Sequence, residues 1–349
     1  MIERLSRVAA CAAVVALGAG AFSPIAAQER YEIAGDHVAI YNLAGTIEVV
    51  GGGGGGVGVQ VRRGGDEGGE LDVRVDEIDG RQTLRVLYPS DRVHYDPPGS
   101  GGRTELSVRS DGTWGRGGGS RRVRVSDGTG LDAHADLRVT VPQGQRLDIY
   151  LAVGTITAEN VDGRIRLDTH SGNVEARSMA GSLLIDTGSG GVEVRGMDGD
   201  LEVDTGSGGV QVADVTGESL GIDTGSGSVR AEGVRATEIE IDTGSGRIQL
   251  AGAAGRDVRL DTGSGSVEAD LTDAVDRLVV DTGSGSVTVR LPEDIGATLN
   301  VDTGSGGIEV DFPVMVTRRA RDELRGEIGD GRGEIRIDTG SGGVRILKG

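Results

Sequence analysis

The chain has 349 residues, a formal net charge of −19 from 36 basic and 55 acidic side chains, 64 glycines and only 2% aromatic residues. So acidic a chain is not expected to bind nucleic acid or an anionic membrane, because both need clustered positive charge. The shortage of Phe, Tyr and Trp argues against a large globular core and favours a thin core of Val, Ile, Leu and Ala.

The first 27 residues are predicted to be a secretory signal peptide. Arg4 and Arg7 give a basic start, residues 8–22 are apolar and small, and a small-residue cleavage site precedes Gln28. The apolar run is too short to span a membrane, so no transmembrane segment is expected in the mature chain. The only cysteine, Cys11, lies in this run. We therefore expect a periplasmic or extracellular protein without disulfide bonds.

Residues 28–146 are predicted to form irregular N-terminal β coils with two glycine-rich insertions. The first insertion, residues 51–56, consists of six glycines. It lacks the lysine and the helix of a phosphate-binding loop, so we interpret it as a linker. The second, residues 97–121, is rich in Gly, Ser, Arg and Pro and is predicted to be a mobile loop that exposes Trp114.

The remaining residues, 147–349, are dominated by one five-residue word, Asp-Thr-Gly-Ser-Gly. The word occurs eight times unaltered, and a ninth copy, with His170 in place of the first Gly, begins at Asp168. Successive copies are 18–21 residues apart, except for one step of 36 residues. A fixed period near 20 is typical of a stacked repeat. The eight unaltered copies begin at Asp186, Asp204, Asp223, Asp242, Asp261, Asp281, Asp302 and Asp338.

Aliphatic residues alternate with polar ones on both sides of each word, as in Leu201 and Val203 before it and Val210 and Val212 after it. A period of two predicts strands with one buried face. Two all-β architectures fit: a meander of hairpins, or a single-chain β-solenoid (β-helix-like) of about 18–21 residues per coil. We favour the solenoid, because hairpin loops are usually two residues long and because stacking explains why one residue type recurs at one place.

The end of the repeat is less regular. The 36-residue step contains an insertion at residues 311–334, in which residues 317–325 are predicted to form a short helix. About ten coils would make a rod of about 48 Å. Because the chain stops soon after Val344 and Ile346, we expect the last coil to expose a strand edge. Lys348 would then act as a gatekeeper, or the edge would serve for assembly.

No catalytic or cofactor-binding residue is predicted from the word. Asp-Thr-Gly-Ser is also the active-site sequence of pepsin-like proteases, whose two carboxylates come from two large lobes. A unit of about 20 residues cannot build such a lobe. We therefore interpret the word as a structural corner.

Two sets of side chains are candidate metal ligands. The first is the column of word aspartates from Asp186 to Asp302, whose oxygens would suit Ca²⁺. The second is Asp132, His134 and Asp136, which alternate and would share one strand face. We favour the structural alternatives for both sets: aspartates that accept hydrogen bonds from N–H groups of the corner, and a solvated polar face.

Several segments resemble the bacterial putative adhesin family, whose exported β-solenoid domain is otherwise of unknown function. They are VAIYNLAGTIEV at residues 38–49, LRVTVP at 137–142, the Asp-Thr-Gly-Ser-Gly coils, and FPV at 312–314 followed by GEIGDG at 326–331. The resemblance covers nearly all of the mature chain. It implies the solenoid fold and supplies no catalytic residues.

The function predicted from these features is that of an exported, non-enzymatic adhesin-like or cell-envelope scaffold protein. A rod of repeats presents a long surface to a protein or polysaccharide of the cell envelope. Two alternatives stay open. One is a β-helix enzyme that acts on polysaccharide, with its site in residues 90–136 or 311–334. The other is a filament subunit that associates end to end with copies of itself.

Overall fold

The structure, a computed structural model, describes residues 29–96, 103–115, 119 and 121–349. The predicted signal peptide lies outside these residues. No helix in this part of the chain is long and apolar enough to cross a membrane. Among the described residues, a single 3-10 helix, Gly68–Glu70, accompanies the strands. Ten strands precede the regular repeat: β1 (Glu29–Ile33), β2 (His37–Gly51), β3 (Val57–Gly64), β4 (Asp72–Ile78), β5 (Arg81–Leu87), β6 (Arg92–His94), β7 (Arg103–Val108), β8 (Arg121–Ser126), β9 (Leu131–Asp132) and β10 (His134–Val141).

The repeat itself is built from long bent strands, followed by shorter ones where each coil is divided in two. The bent strands are β11 (Gln145–Glu159), β12 (Asp162–Ser171), β13 (Val174–Ser189), β14 (Val192–Thr205), β15 (Val210–Thr224) and β16 (Val229–Thr243). The later strands are β17 (Ile248–Ala253), β18 (Asp257–Thr262), β19 (Val267–Leu271), β20 (Arg277–Thr282), β21 (Val287–Leu291), β22 (Ala297–Thr303), β23 (Ile308–Val310), β24 (Val314–Arg319), β25 (Glu323–Ile328), β26 (Gly333–Thr339) and β27 (Val344–Lys348).

Successive coils stack in parallel register, which confirms the predicted β-solenoid. The words lie side by side, so that Asp204 pairs with Asp186 on one side and Asp223 on the other. The alternating aliphatic residues point inwards; Leu201 and Val203 are both 1% exposed. We call the strand segments that end at the words the ladder sheet. We call the segments that follow the words, from the first residues of β13 to β23 and β27, the return sheet.

The C-terminal coil does not lie at the end of the stack. Strand β26 is inserted between β20 and β22, and β27 between β21 and β23. Val344 and Ile346 are accordingly buried at 1% and 0% exposure. The prediction of an exposed edge at these residues was therefore wrong. The coil of β22 and β23 is the terminal one.

The segment between β23 and β26 forms a hairpin that partly closes this end. Strand β25 pairs antiparallel with β22, and β24 pairs antiparallel with β25. The helix predicted at residues 317–325 was wrong, because those residues belong to the two strands of the hairpin. The hairpin extends the ladder sheet only, so β23 keeps one unpaired edge among the described residues.

At the N-terminal end only β2 is a full coil of the solenoid. It stacks on β11 from one sheet to the other, with Val38 opposite Leu147 and Ile47 opposite Ile156. Beyond β2, the ladder sheet continues with β5, which is parallel to β2, and then with β4, which is antiparallel to β5. The return sheet continues with β10, which is parallel to β2, and then with β3 and β1, each antiparallel to the strand before it. Strands β6 to β9 form a separate four-stranded sheet. The predicted irregular coils are thus mostly antiparallel additions to the two sheets.

Trp114 closes the outer face of the ladder sheet at this end. It is 3% exposed, and its ring meets that of Tyr41 edge to face at 5.0 Å. Tyr41 in turn stacks on Tyr150 at 4.4 Å. The prediction of an exposed loop tryptophan was wrong, because the described part of residues 97–121 folds into β7 and a turn that packs onto these rings.

Candidate functional site: the aspartate ladder

The word aspartates form one column on the outer face of the ladder sheet. Each is in register with the aspartate of the adjacent coil from Asp168 onwards, and Asp338 stands between Asp281 and Asp302 at the far end. Neighbouring strands are about 4.8 Å apart, so nine carboxylates recur at about that interval. We call this column the aspartate ladder.

In most coils the corner of the word is capped by its threonine rather than by its aspartate; the exceptions are Thr169 and Thr205, whose hydroxyls have no hydrogen-bond partner in the described structure. The Thr243 hydroxyl donates to the carbonyl of Gly227 at 2.9 Å and accepts from the N–H of Gly246 at 3.0 Å. Within the described chain, the ladder carboxylates accept hydrogen bonds only from Arg166. The prediction that aspartates cap the corners was therefore wrong. Their oxygens remain available to solvent and to partners.

Arginines neutralise the ladder unevenly. Arg166 binds both Asp168 and Asp186, at 3.1 and 3.0 Å. Arg259 lies 3.6 Å from Asp261. The coils between these two arginines supply no ion pair to the ladder, as far as the described residues show.

Between these arginines the ladder forms a central acidic patch, which comprises Glu202, Asp204, Asp223 and Asp242. Glu202 lies two residues before Asp204 and therefore points to the same side of the strand. All four residues are exposed. At the far end, Asp281, Asp302 and Asp338 also make no ion pair among the described residues, but Arg336 lies two residues before Asp338 and partly offsets the rise in its pKa that burial and the neighbouring aspartates cause.

The return sheet also carries charged side chains, but it pairs acidic with basic ones within and between coils. Arg177 lies 3.1 Å from Glu175 in its own coil and 3.6 Å from Glu193 in the next, and Glu193 also binds Arg195 at 2.7 Å. Opposite charges facing across neighbouring strands stabilise a sheet, whereas like charges destabilise it. The ladder is thus an exception to the pattern that the same solenoid follows elsewhere.

Burial and mutual repulsion raise the pKa values of ladder carboxyl groups. Partial burial followed by the charges of Asp186 and Asp223 raises the pKa of Asp204, and burial followed by Asp261 and Asp223 raises that of Asp242. A carboxyl group with a raised folded-state pKa stabilises folding below its unfolded-state pKa. That contribution is lost as the pH rises through the folded-state value. The ladder therefore costs stability at neutral pH and less in mild acid.

We expect Asp204→Asn to raise the free energy of unfolding at pH 7 by up to about 1 kcal/mol, the repulsion of two charges at strand spacing in water. Thermal unfolding in low salt measures this gain, which should shrink at pH 4 and in high salt. Glu193→Gln is the matched control, because it breaks ion pairs of the return sheet and should give no gain. Equal gains from both variants would contradict the interpretation.

The second candidate metal set is divided between two sheets. Asp132 belongs to β9 of the four-stranded sheet, whereas His134 and Asp136 belong to β10. Asp136 binds Arg62 at 2.7 Å, and the His134 ring lies 5.2 Å from the ring of Tyr95. Within the described ranges, no group of three His, Cys, Asp or Glu side chains is arranged to hold a metal ion. Calcium binding by the ladder stays the untested alternative to a structural role.

The family of the chain follows from the same residues that build the solenoid. Residues 70–347 match the family model described as Toastrack DUF4097. The chain belongs to the Toastrack DUF4097 family. Membership confirms the resemblance to the putative adhesin family, whose function is unknown.

Two crystal structures resemble this Toastrack chain. One is a putative adhesin from Bacteroides fragilis NCTC 9343, with 13% identity, a TM-score of 0.35, and coverage of 92% of this chain and 96% of the other. The second is a putative cell adhesion protein from Clostridium sporogenes ATCC 15579, with 11% identity, a TM-score of 0.21, and coverage of 93% and 99%. A comparison with curated proteins found no match.

The Toastrack chain also contains a buried polar network that the sequence did not reveal. Asp148, 7% exposed, accepts from Arg81 at 3.0 Å and lies 2.8 Å from His37. The Arg81 guanidinium also lies 3.4 Å from the hydroxyl of Tyr41. These residues come from three distant segments, and the available signal was charged residues in otherwise apolar strands. The network fixes the aromatic residues at the N-terminal end of the ladder.

Proposed function

We propose that this Toastrack protein is an exported, non-enzymatic adhesin-like or cell-envelope scaffold protein, and that the aspartate ladder is its binding face. The observation that carries the proposal is the central acidic patch, which makes no ion pair among the described residues, whereas the return sheet pairs acidic side chains with arginines. Such an imbalance costs stability, as the raised pKa of Asp204 indicates. Binding is the function that such a cost would serve.

The partner that fits this face carries positive charges at regular intervals. The carboxylates of Asp204, Asp223 and Asp242 stand on adjacent strands of a rigid sheet, so their spacing is set before binding. None of the three makes an ion pair with an arginine in the described part of the chain. Charge complementarity then favours an envelope polymer with amino groups, or a basic protein surface, over a neutral chain.

Chitosan oligomers and N-acetylated chitin oligomers of equal length test this proposal, because they share a backbone and differ in charge. We expect binding of the charged oligomer only. The triple variant Asp204→Asn/Asp223→Asn/Asp242→Asn should weaken that binding about tenfold or more, because each lost charge pair contributes a fraction of the binding energy. The control Glu175→Gln/Glu193→Gln/Glu268→Gln removes three charges from the return sheet and should bind like the wild type.

Three further results would count against the proposal. Equal binding of the acetylated oligomer would contradict charge recognition, and undiminished binding by the triple variant would contradict the site. Release of new reducing ends from either oligomer would contradict a non-enzymatic role. Cell fractionation tests export separately, since a cytoplasmic protein would not meet an envelope polymer.

A further inference from the structure

The two ends of the solenoid present free strand edges in the same two sheets. At the N-terminal end, β4 is the outermost strand of the ladder sheet and β1 that of the return sheet. At the C-terminal end, β24 and β23 hold these positions. Within the described residues each of the four strands pairs on one side only. An unpaired edge offers N–H and C=O groups to a strand from another molecule.

An apolar groove lies between the two edges at the C-terminal end. Ile308 and Val310 line one side, Val314 and Val316 line the other, and the groove encloses about 490 Å³. Val316, which lines the groove, is 44% exposed, whereas Met315, 71% exposed, points to the opposite face of β24. An apolar groove that remains open to solvent marks an interaction surface.

The rim of this groove is basic. Arg319 and Arg321 line it and are exposed. Arg318 and Arg325, by contrast, both bind Glu323, at 2.7 and 2.8 Å. The ion pairs of the described residues do not include Arg319 or Arg321, which leaves two positive charges for a partner. The occupant that fits is an extended, partly apolar and acidic strand.

The opposite end of the same molecule presents such strands. Strand β4 carries Asp72, Asp76 and Glu77; Arg74 binds Asp72 at 2.7 Å and Arg85 binds Asp76. Its two valines are partly buried against the core. Strand β1 adds Arg30 and two glutamates, of which Glu29 binds Arg63. Of these acidic residues, the ion pairs of the described chain leave Glu77 and Glu32 at this end, opposite in charge to Arg319 and Arg321 at the groove.

The strand directions at the two ends are also compatible with pairing between two copies that are stacked along one axis. Strand β24 runs in the same direction as the coils, because two antiparallel pairings separate it from β22. Strand β4 runs opposite to the coils, because it is antiparallel to β5. The edges of the two ladder sheets would therefore meet as an antiparallel pair. Strands β23 and β1 both follow the coil direction and would meet as a parallel pair.

We infer that the arginine-rimmed groove between β23 and β24 binds the acidic β1 and β4 end of a second copy, so that the chains associate head to tail. A symmetric pairing of two β24 edges would bring the arginines of both copies together, and like charges across a strand pair are destabilising. Head-to-tail contacts do not close and can add further copies. This inference goes beyond the proposed function, since it does not involve the aspartate ladder.

Charge exchange between the ends tests the inference. The chain from residue 28 onwards contains every described strand and no cysteine, and light scattering gives its mass as a function of concentration. We expect the mass to rise in multiples of one chain. Arg319→Glu/Arg321→Glu should be monomeric, and so should Asp72→Arg/Glu77→Arg. A mixture of the two variants should assemble, because each then offers the end that the other lacks.

Val316→Lys probes the apolar groove, because an edge lysine blocks strand pairing. It should abolish the association. Gln211→Lys, which adds the same charge at an exposed position of the return sheet, should not. Unchanged melting temperatures would show that the variants are folded. A wild-type monomer at every soluble concentration would overturn the inference, as would a dimer of fixed mass or a charge-exchanged mixture that stays monomeric.

Discussion

Replacing Gly208 with alanine is expected to lower the free energy of unfolding by at least about 3 kcal/mol, the upper range for overpacked cores. Gly208 is the last residue of its word. A Cβ atom placed on it would lie 1.7 Å from the carbonyl oxygen of Gly190 in the preceding coil. The obstacle is backbone, which no side-chain rotation can move. Either the two coils separate or their hydrogen bonds break.

The adjacent residue provides the control. The nearest atom to a Cβ atom placed on Gly209 would be the carbonyl oxygen of Ser228, at 3.7 Å. The φ angle of Gly209 also lies outside the left-handed region. We expect Gly209→Ala to change stability by less than about 0.5 kcal/mol. Urea unfolding followed by circular dichroism compares the two variants. Equal urea midpoints for the two variants would contradict the claim that backbone contact between adjacent coils requires glycine at the last position of the word.

The same contact explains why the word is invariant at this position within the chain. The Cβ atom would lie 1.7–1.8 Å from a carbonyl oxygen at each corresponding glycine: Gly227, Gly246, Gly265, Gly285, Gly306 and Gly342. Each of these oxygens belongs to the corresponding glycine of the adjacent coil. A residue required by the stack therefore recurs once per coil, and its recurrence is what made the fold predictable.

The sequence predicted the coil, its period and its buried positions, because a word repeated every 18–21 residues can be aligned in only one register. It did not predict the order of the coils. Strand β26 carries the same word as β22, so nothing in its own residues determines which neighbour it joins. The signal was the 36-residue step, which is long enough for a hairpin and a return. We interpreted it as an insertion.

The sequence could have shown that threonine, and not aspartate, caps the corner, but we did not predict this. Because Val203 points inwards, a period of two places Asp204 outwards and Thr205 inwards. An inward hydroxyl must find a partner, and the nearby backbone supplies one in most coils. We considered only the known preference of Asp for turns. Strand alternation determined the outcome.

The central acidic patch could not be located from the sequence alone. The word places a carboxylate in every coil, so the column appeared uniform. The uneven distribution comes from Arg166 and Arg259, whose positions beside the ladder depend on the register of their strands. Once the register is known, the three coils between these arginines are seen to make no ion pair with the ladder among the described residues.

The last prediction concerns the threonine of the word, which has two different environments within one repeat. In the coils that begin at Asp168 and Asp186, the glycines at the end of the word, Gly172 and Gly190, have φ angles of 147° and 153°. From Gly208 onwards the corresponding glycines lie outside the left-handed region. The hydroxyls of Thr224 and Thr243 meet the carbonyl of the last glycine in the preceding word. For Thr205 that preceding glycine is Gly190, which has the other corner conformation.

Thr243→Val is expected to lower the free energy of unfolding by about 2 kcal/mol, because it removes a hydroxyl that is bonded on both sides. The carbonyl of Gly227 and the N–H of Gly246 would lose their partner in a site closed to water. Valine has the same shape as threonine, so the loss reports hydrogen bonding rather than packing. Thr243→Ser keeps the hydroxyl and should recover part of the loss.

Thr205→Val is the matched control, at the same position of the word. The Thr205 hydroxyl is buried and has no hydrogen-bond partner in the structure. We expect its removal to change stability by less than about 0.5 kcal/mol, or to increase it, because an unsatisfied buried hydroxyl is replaced by a methyl group. Urea unfolding of both variants decides between two explanations of the recurrent threonine. Equal losses would mean that its shape is required, whereas a loss at Thr243 alone would mean that its hydrogen bonds hold the corner together.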